Sequence, residues 1–374
     1  MNGSEIELAV DRGKLVAGRR STLIEELELE LKQGRPNDLF RLAKSVERNS
    51  AAELYLETKA ERGYSLARGE NPRAVYAEPI VLQREMSAGE AFRIIARSTL
   101  RHFAANADAV RARDPDGIHQ MRVGLRRLRA AISLFSDLLP GERTEHIKAE
   151  LKWLTNELAP ARDLDVFVKR QIGHPANTLI PPREREAIEK EFAARQAEAL
   201  EQAGNALTSA RTRILLLDIM EWLETGNVWS EGEAQTAIEA FAADIFRRRL
   251  KKIRKAGRHL EQLSTHDRHK FRIKIKKVRY AAQFFESLFR SKRDRKHLAR
   301  LSNYFKQVQD ALGKLNDFVE HRKLLEETAF RASTNDQHAH AFALGVVLGR
   351  ENEAVKPLMK VAVKKVRRIR QVRF

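Results

Sequence analysis

Two seventeen-residue stretches of this chain are near copies of one another, and both have the sidedness of an amphipathic helix. The first, His119 to Phe135, reads HQMRVGLRRLRAAISLF; the second, His269 to Phe285, reads HKFRIKIKKVRYAAQFF. His119 matches His269 and Arg122 matches Arg272; Arg126 and Arg127 match Lys276 and Lys277, and Arg129 matches Arg279. At a helical turn of about 100° per residue, His119, Arg122, Arg126 and Arg129 fall within an arc of roughly 80°. Met121, Leu125, Leu128, Ile132 and Phe135 form a neighbouring apolar stripe. Each copy is therefore expected to bury one side and present a ridge of cations on another.

The duplication extends beyond these words. The same offset of 150 residues carries Leu100 onto Leu250 and Arg101 onto Lys251, and Leu158-Ala-Pro-Ala-Arg162-Asp163 corresponds to Leu312-Gly-Lys-Leu-Asn316-Asp317. The predicted fold class is mainly α: two repeated helical bundles with pseudo-twofold symmetry, about 87–226 and about 234–374, preceded by a small incomplete α/β segment. Such packing places both basic helices beside one groove. Ser87 and Glu90 have capping-box spacing at the entry of the first helix, and Asp114-Pro-Asp116-Gly117 breaks the chain before the first basic helix.

The first 71 residues follow a different rule. Residues 4–10 alternate polar and apolar, Asp11-Arg-Gly13 supplies a turn, and a second alternating run sets Glu26, Glu28 and Glu30 on one face of a strand against Leu27, Leu29 and Leu31 on the other. That acidic face is either solvated beside lysine neighbours or a cation-binding surface. A helix is predicted from Asn37 or Asp38 to about Asn49, a short strand over Tyr55–Leu66, and a linker over 72–86.

Composition narrows the partners. The 374 residues carry 70 Lys and Arg against 51 Asp and Glu, a formal charge of +19, with a pI near 10.2, and much of the cationic excess lies in helical ridges. A polyanion is the expected partner. There is no cysteine, which excludes disulfides and thiolate metal sites. No apolar run approaches a membrane span and the first residues lack a signal-peptide pattern, so the expectation is a soluble, cytoplasmic protein.

From about Ser87 to the carboxyl terminus, the words His119-x-x-Arg122-x-x-x-Arg126-Arg127-x-Arg129 and His269-x-x-Arg272-x-x-x-Lys276-Lys277-x-Arg279-Tyr280 resemble the CHAD domain, a histidine-containing helical family associated with inorganic polyphosphate and its granules. The resemblance implies that these eleven residues bind polyphosphate without catalysis or cofactor, and that the protein associates with polyphosphate granules. Residues 1–71, with Glu26-Leu-Glu28-Leu-Glu30, Gly34 and Lys59-Ala-Glu-Arg62-Gly63, resemble the final portion of a CYTH domain, the triphosphate tunnel metalloenzyme fold. There the resemblance implies vestigial metal-side positions at Glu26 and Glu28 and a phosphate-side position at Lys59. The family's amino-terminal Glu-x-Glu-x-Lys signature is missing, so no metal site and no triphosphatase activity is expected.

The chemistry of the ridges points to the same class of ligand. A phosphate polymer without bases offers only oxyanions, which arginine binds bidentately and lysine as a point charge. Cations at i, i+4 and i+7 track a linear anion about one helical turn apart. Asp163 and Asp317 are expected to pin a neighbouring arginine. Two further basic stretches, Arg247–Lys255 and Lys360–Arg373, either widen the electropositive surface or are ordinary amphipathic helix. Nucleic acid is the competing partner, and a triphosphatase the weaker rival.

Overall fold

The computed structural model describes residues 3–55, 58–69, 72–114, 116–174, 180–225, 235–331 and 337–371. Thus Glu70 and Asn71 before the expected linker, much of the expected boundary between the repeats, and Arg373 of the basic tail lie outside the described residues. Two antiparallel strands, β1 (Glu5–Ala17) and β2 (Arg20–Gln33), open the chain, paired from Ile6 opposite Leu31 to Ala17 opposite Arg20. Helices follow: α1 (Pro36–Ser50), α2 (Lys59–Arg68), α3 (Ala88–Ala104), α4 (Ala107–Arg111), α5 (Gly117–Leu134), α6 (Glu142–Glu157) and α7 (Ala159–Phe167). Next come α8 (Pro182–Thr208), α9 (Ala210–Glu224), α10 (Ile238–Ala256), α11 (Thr265–Phe284), α12 (Lys292–Arg331) and α13 (Gln337–Gln371). The mainly helical class expected from periodicity is what the chain adopts.

The chain divides into two compact units. The first comprises Met1–Pro79, Gly89–Pro160 and Glu201–Gln235; the second Ile80–Ala88, Ala161–Leu200 and Thr236–Phe374. In the first, the apolar stripe of α5 supplies Leu125, Leu128 and Ile132 to a core closed by Phe92, Leu151, Ile219 and Trp222, all nearly inaccessible. The ring of Phe92 lies 5.3 Å from Phe135 and 5.5 Å from Trp222, distances typical of favourable tilted and edge-on aromatic pairs. Gly124 lets α5 approach α3: a Cβ there would stand 3.0 Å from the backbone nitrogen of Phe103.

In the second unit, α11 buries Phe271, Ile275, Val278 and Phe284 against a core that includes Phe246, Leu301 and Phe305. A separate apolar cluster joins Phe167, Ile188 and Phe192 to Leu325, Leu344 and Val347. The repeat is visible in the way the two basic helices end. Phe135 and Phe285 each close their helix by donating the backbone N–H to the carbonyl of Ala131 and Ala281, both at 3.0 Å, and each is followed by one 3-10 turn, Ser136–Leu138 or Glu286–Leu288.

Two local expectations change. The turn expected at Asp11-Arg-Gly13 lies inside β1, and the chain reverses instead at Gly18 and Arg19. Residues 59–66, expected as part of a strand, belong to helix α2, because Thr58 and Glu61 make a reciprocal capping box. The stretch 72–86, expected as a linker, is exposed along most of its length and anchored at a few points. Its Val75 N–H donates to Asn106 Oδ1 at 2.9 Å, and Ile80 and Leu82 are 6% and 3% exposed. Ser87, at the mouth of α3, forms an antiparallel bridge with Ala237, at the mouth of α10, within the second unit. The acidic face of β2 has cationic neighbours, as one of the two readings of the sequence expected: Lys59 Nζ of α2 lies 2.8 Å from Glu28 and also pairs with Asp11, Arg62 of α2 pairs with Glu26, and Lys32 of the same strand lies 2.8 Å from Glu30.

Candidate phosphate-binding helices

Burial sorts the eleven residues expected at the site into those that face outward and those that do not. On α5, His119, Arg122, Arg126 and Arg129 are half-buried along one side, as the helical angles require. Arg127 is turned inward: it is 7% exposed and sits near His102, whose imidazole is held below its usual pKa by burial first and by the Arg127 charge second. On α11, His269 is exposed, and Arg272, Lys276, Lys277 and Arg279 are half-buried. Tyr280 is 4% exposed and stacks on Phe284 with ring centroids 6.0 Å apart, so it supports the helix from within. Arg127 has a cation, Lys277, at the matching position, whereas Tyr280 matches Ala130; the step of about 100° from a ridge residue to its neighbour carries Arg127 and Tyr280 off the outer face. Both side chains were expected at the polymer, and both are buried.

The cations that remain on the ridges have unusual surroundings. Elsewhere in the first unit, arginines are neutralised: Arg211 binds Glu150 at 2.6 and 2.8 Å, Arg213 binds Glu47 at 2.9 Å, and Arg97 and Arg143 pair with Glu224 and Glu221. Among the described residues, Arg126 and Arg129 have no ion pair and no hydrogen bond to protein. Burial alone pulls the guanidinium of Arg129 below its usual pKa, with no carboxylate to offset it. On α11 the Nε atoms of Arg272 and Arg279 are likewise buried without an acceptor, the Arg279 guanidinium lying 5.8 Å from the Tyr280 ring centroid. A half-buried charge without a partner costs free energy that an incoming anion would recover.

Equivalent positions have diverged. Arg122 donates from Nη1 to the carbonyls of Leu158 and Ala159, at 3.1 and 2.7 Å, where α6 gives way to α7. Its counterpart Arg272 meets the unbroken helix α12 and makes no such bonds. There a Cβ on Gly313 would stand 3.7 Å from the Nε and Nη2 of Arg272, ordinary van der Waals contact, so the guanidinium lies over this turn of α12. His269 Nδ1 is 2.8 Å from Asn316 Oδ1, an orienting contact that the sequence words placed side by side without revealing. Arg162 pairs with Asp165 at 2.7 Å, three residues along its own helix.

Charge is also unevenly divided along the chain. Residues 236–374 hold half of the 70 Lys and Arg but fewer than a third of the 51 Asp and Glu, so the first 235 residues are close to neutral and the excess resides in the second repeat. The two basic stretches noted beside the ridges lie here. On α13, Ala362, Val366 and Ile369 are buried while Lys360, Lys364, Arg367 and Arg368 are exposed on the opposite side.

In the amino-terminal segment the acidic positions of β2 already have cationic partners. Glu26 and Glu28 are occupied by Arg62 and Lys59, and among the described residues no group of three or more His, Asp or Glu is placed to hold a metal ion. No helix among the described residues is long and apolar enough to cross a membrane.

Comparison with known proteins agrees with this architecture. The crystal structure of the CHAD domain from the plant Ricinus communis superposes with a TM-score of 0.65 at 29% identity, covering 78% of this chain and 96% of that one. PptA from Streptomyces chartreusis superposes with a TM-score of 0.55 at 16% identity, covering 75% and 99%, a likeness of fold. A stretch of 63 residues is 40% identical to an inorganic triphosphatase of Haemophilus influenzae; it is 17% of this chain and spans 18% of that protein. The CHAD domain family matches residues 94–326, which include both basic helices and the Asn316-Asp317 word, and the chain belongs to that family.

Proposed function

We propose that this protein binds inorganic polyphosphate through the outer faces of α5 and α11, without catalysis and without a cofactor. The observation that carries the reading is the set of half-buried ridge arginines, Arg126, Arg129 and Arg272, that have no ion-pair partner among the described residues. Each is half-buried on its helix, so a phosphate oxygen gains a charge-assisted bond from a donor that is already partly desolvated. Binding is electrostatic: the cations replace counterions along the polymer, affinity rises with chain length, and it falls steeply with salt. The CHAD family's association with polyphosphate and its granules supports the same ligand, and a cytoplasmic, granule-associated location follows from it.

The test is a competition titration at near-physiological salt, long-chain polyphosphate against single- and double-stranded DNA at matched phosphate concentration. Preference for polyphosphate by tenfold or more, about 1.4 kcal/mol, supports the reading. Equal competition by DNA makes the ridges a generic cationic surface and promotes nucleic acid as the partner; among the described ridge residues only the buried Tyr280 is aromatic, which disfavours base stacking.

A further inference from the structure

The second unit holds two carboxylates beside the α11 ridge, an unexpected placement in a surface meant for an anion. On α12, Gly313, Asp317 and His321 follow at i, i+4 and i+8 and share one stripe. The guanidinium of Arg272 lies over Gly313, one turn before Asp317. Helix α7 presents Asp163 and Phe167, also one turn apart, to the same stripe: the Phe167 ring meets the His321 ring edge-on at 4.8 Å and 67°. With Phe167 against His321, Asp163 comes against Asp317 one turn earlier, so the duplicated sequence words bring their two aspartates together.

The charged groups acting on Asp317 come from three segments: Arg272 from α11, His321 from its own helix, and Asp163 with Arg170 from α7 and the π turn Val168–Ile172 that continues it. Burial, with a smaller contribution from Asp163, lifts its carboxyl above the usual range against the opposing pull of Arg272, His321 and Arg170. Neither aspartate makes an ion pair with Arg272 within 4 Å, and the Arg272 Nε stays without an acceptor. An ionised Asp317 therefore repels a phosphate arriving at Arg272 without occupying the guanidinium itself.

We propose that Asp317, backed by Asp163, is an internal anion set against the polymer at Arg272, and that this cluster takes up a proton when a phosphate chain binds. The inference rests on the polyphosphate reading above and adds its regulation: occupancy rises with acidity through a carboxyl. The balance is simple. One proton passes from solvent to the carboxylate, its negative charge is cancelled, and the positive field of Arg272 and His321 becomes available to the phosphate.

The experiment is calorimetric titration of the whole chain with long-chain polyphosphate at pH 5 to 8, in pairs of buffers of different ionisation enthalpy, so that affinity and protons taken up are both read. Wild type is compared with Asp317→Asn, Asp163→Asn and His269→Gln. Asp317→Asn is expected to bind about fivefold tighter than wild type at pH 7.5, to converge with it near pH 5, and to take up fewer protons. Asp163→Asn moves the same way by less, and His269→Gln shows no gain of affinity at pH 7.5. A gain of affinity is not what structural damage produces. If the wild type binds and Asp317→Asn is no tighter at pH 7.5, or takes up as many protons, this inference is overturned while the binding reading survives. If the wild type fails to bind polyphosphate at every pH, the binding reading itself falls.

Discussion

Arg122 and Arg129 lie two turns apart on α5 and share its outer face, yet removing them should have opposite consequences. Arg122 holds two backbone carbonyls at the α6–α7 junction. A hydrogen bond from a charged donor contributes about 1.5–3 kcal/mol, and two bonds from one guanidinium contribute less than twice that. Arg122→Met keeps the length of the side chain and removes the donors, so it should cost about 2–3 kcal/mol. At about 2–4 °C per kcal/mol for a unit of this size, the melting temperature should fall by roughly 5–10 °C. Arg129 is more than half buried with no carboxylate beside it, and its charge is disfavoured there. Arg129→Met should leave the melting temperature unchanged or raise it slightly, while polyphosphate affinity falls by about tenfold as one charge-assisted contact is lost. Thermal unfolding and polyphosphate titration of the two variants at matched salt decide the matter. Equal melting losses in both variants, or an Arg122→Met protein that melts with the wild type and binds ten times more weakly, would refute the assignment of one arginine to the fold and the other to the ligand.

Other outcomes follow from particular contacts. A Cβ at Gly257 would collide with Val366 Cγ1, so Gly257→Ala should destabilise the second unit by about 1–3 kcal/mol, and adding Val366→Ala should recover part of the loss; a double variant less stable than either single change contradicts the steric account. Asp317 has a carboxyl pKa raised by burial, so the folded chain holds that proton more tightly than the unfolded chain; the stabilisation is present at low pH and is lost as pH rises through the folded value. Asp317→Asn should accordingly melt higher than wild type at pH 7 and coincide with it near pH 4, roughly the unperturbed carboxylate value. Lys59→Ala with Arg62→Ala leaves Asp11, Glu26 and Glu28 facing one another without cations, and α2 should show faster amide exchange while α5 and α11 do not change; unaltered exchange in α2 removes the ion pairs as its anchor.

What the linear chain disclosed was whatever local periodicity encodes. The α5 and α11 copies were legible because an apolar stripe and a cation ridge both need the 3.6-residue repeat, and the 150-residue offset carried even the closing Phe135 and Phe285. Helix α2 is not legible in the chain although Thr58 and Glu61 spell a capping box, because the residues around Tyr55 also fit a strand. In the 72–86 stretch, proline and irregular spacing hide the points of burial at Ile80 and Leu82, which only tertiary packing supplies. Within the site, position on a helix separated ridge from core but not partner from free group. The bonds of Arg122 to a helix break, the bare Nε of Arg272 and the meeting of Asp163 with Asp317 depend on which neighbour arrives, and no spacing rule reports that.

The helix that carries Asp317 differs mechanically from its counterpart in the first repeat. There the corresponding run is jointed at Leu158, with Arg122 pinning the joint, whereas α12 continues through 40 residues, a rod of about 60 Å. A joint absorbs a displacement locally; a continuous rod delivers it along its whole length. A push on α12 where Asn316 holds His269 is thus carried along the helix toward Arg331, with no joint between to absorb it.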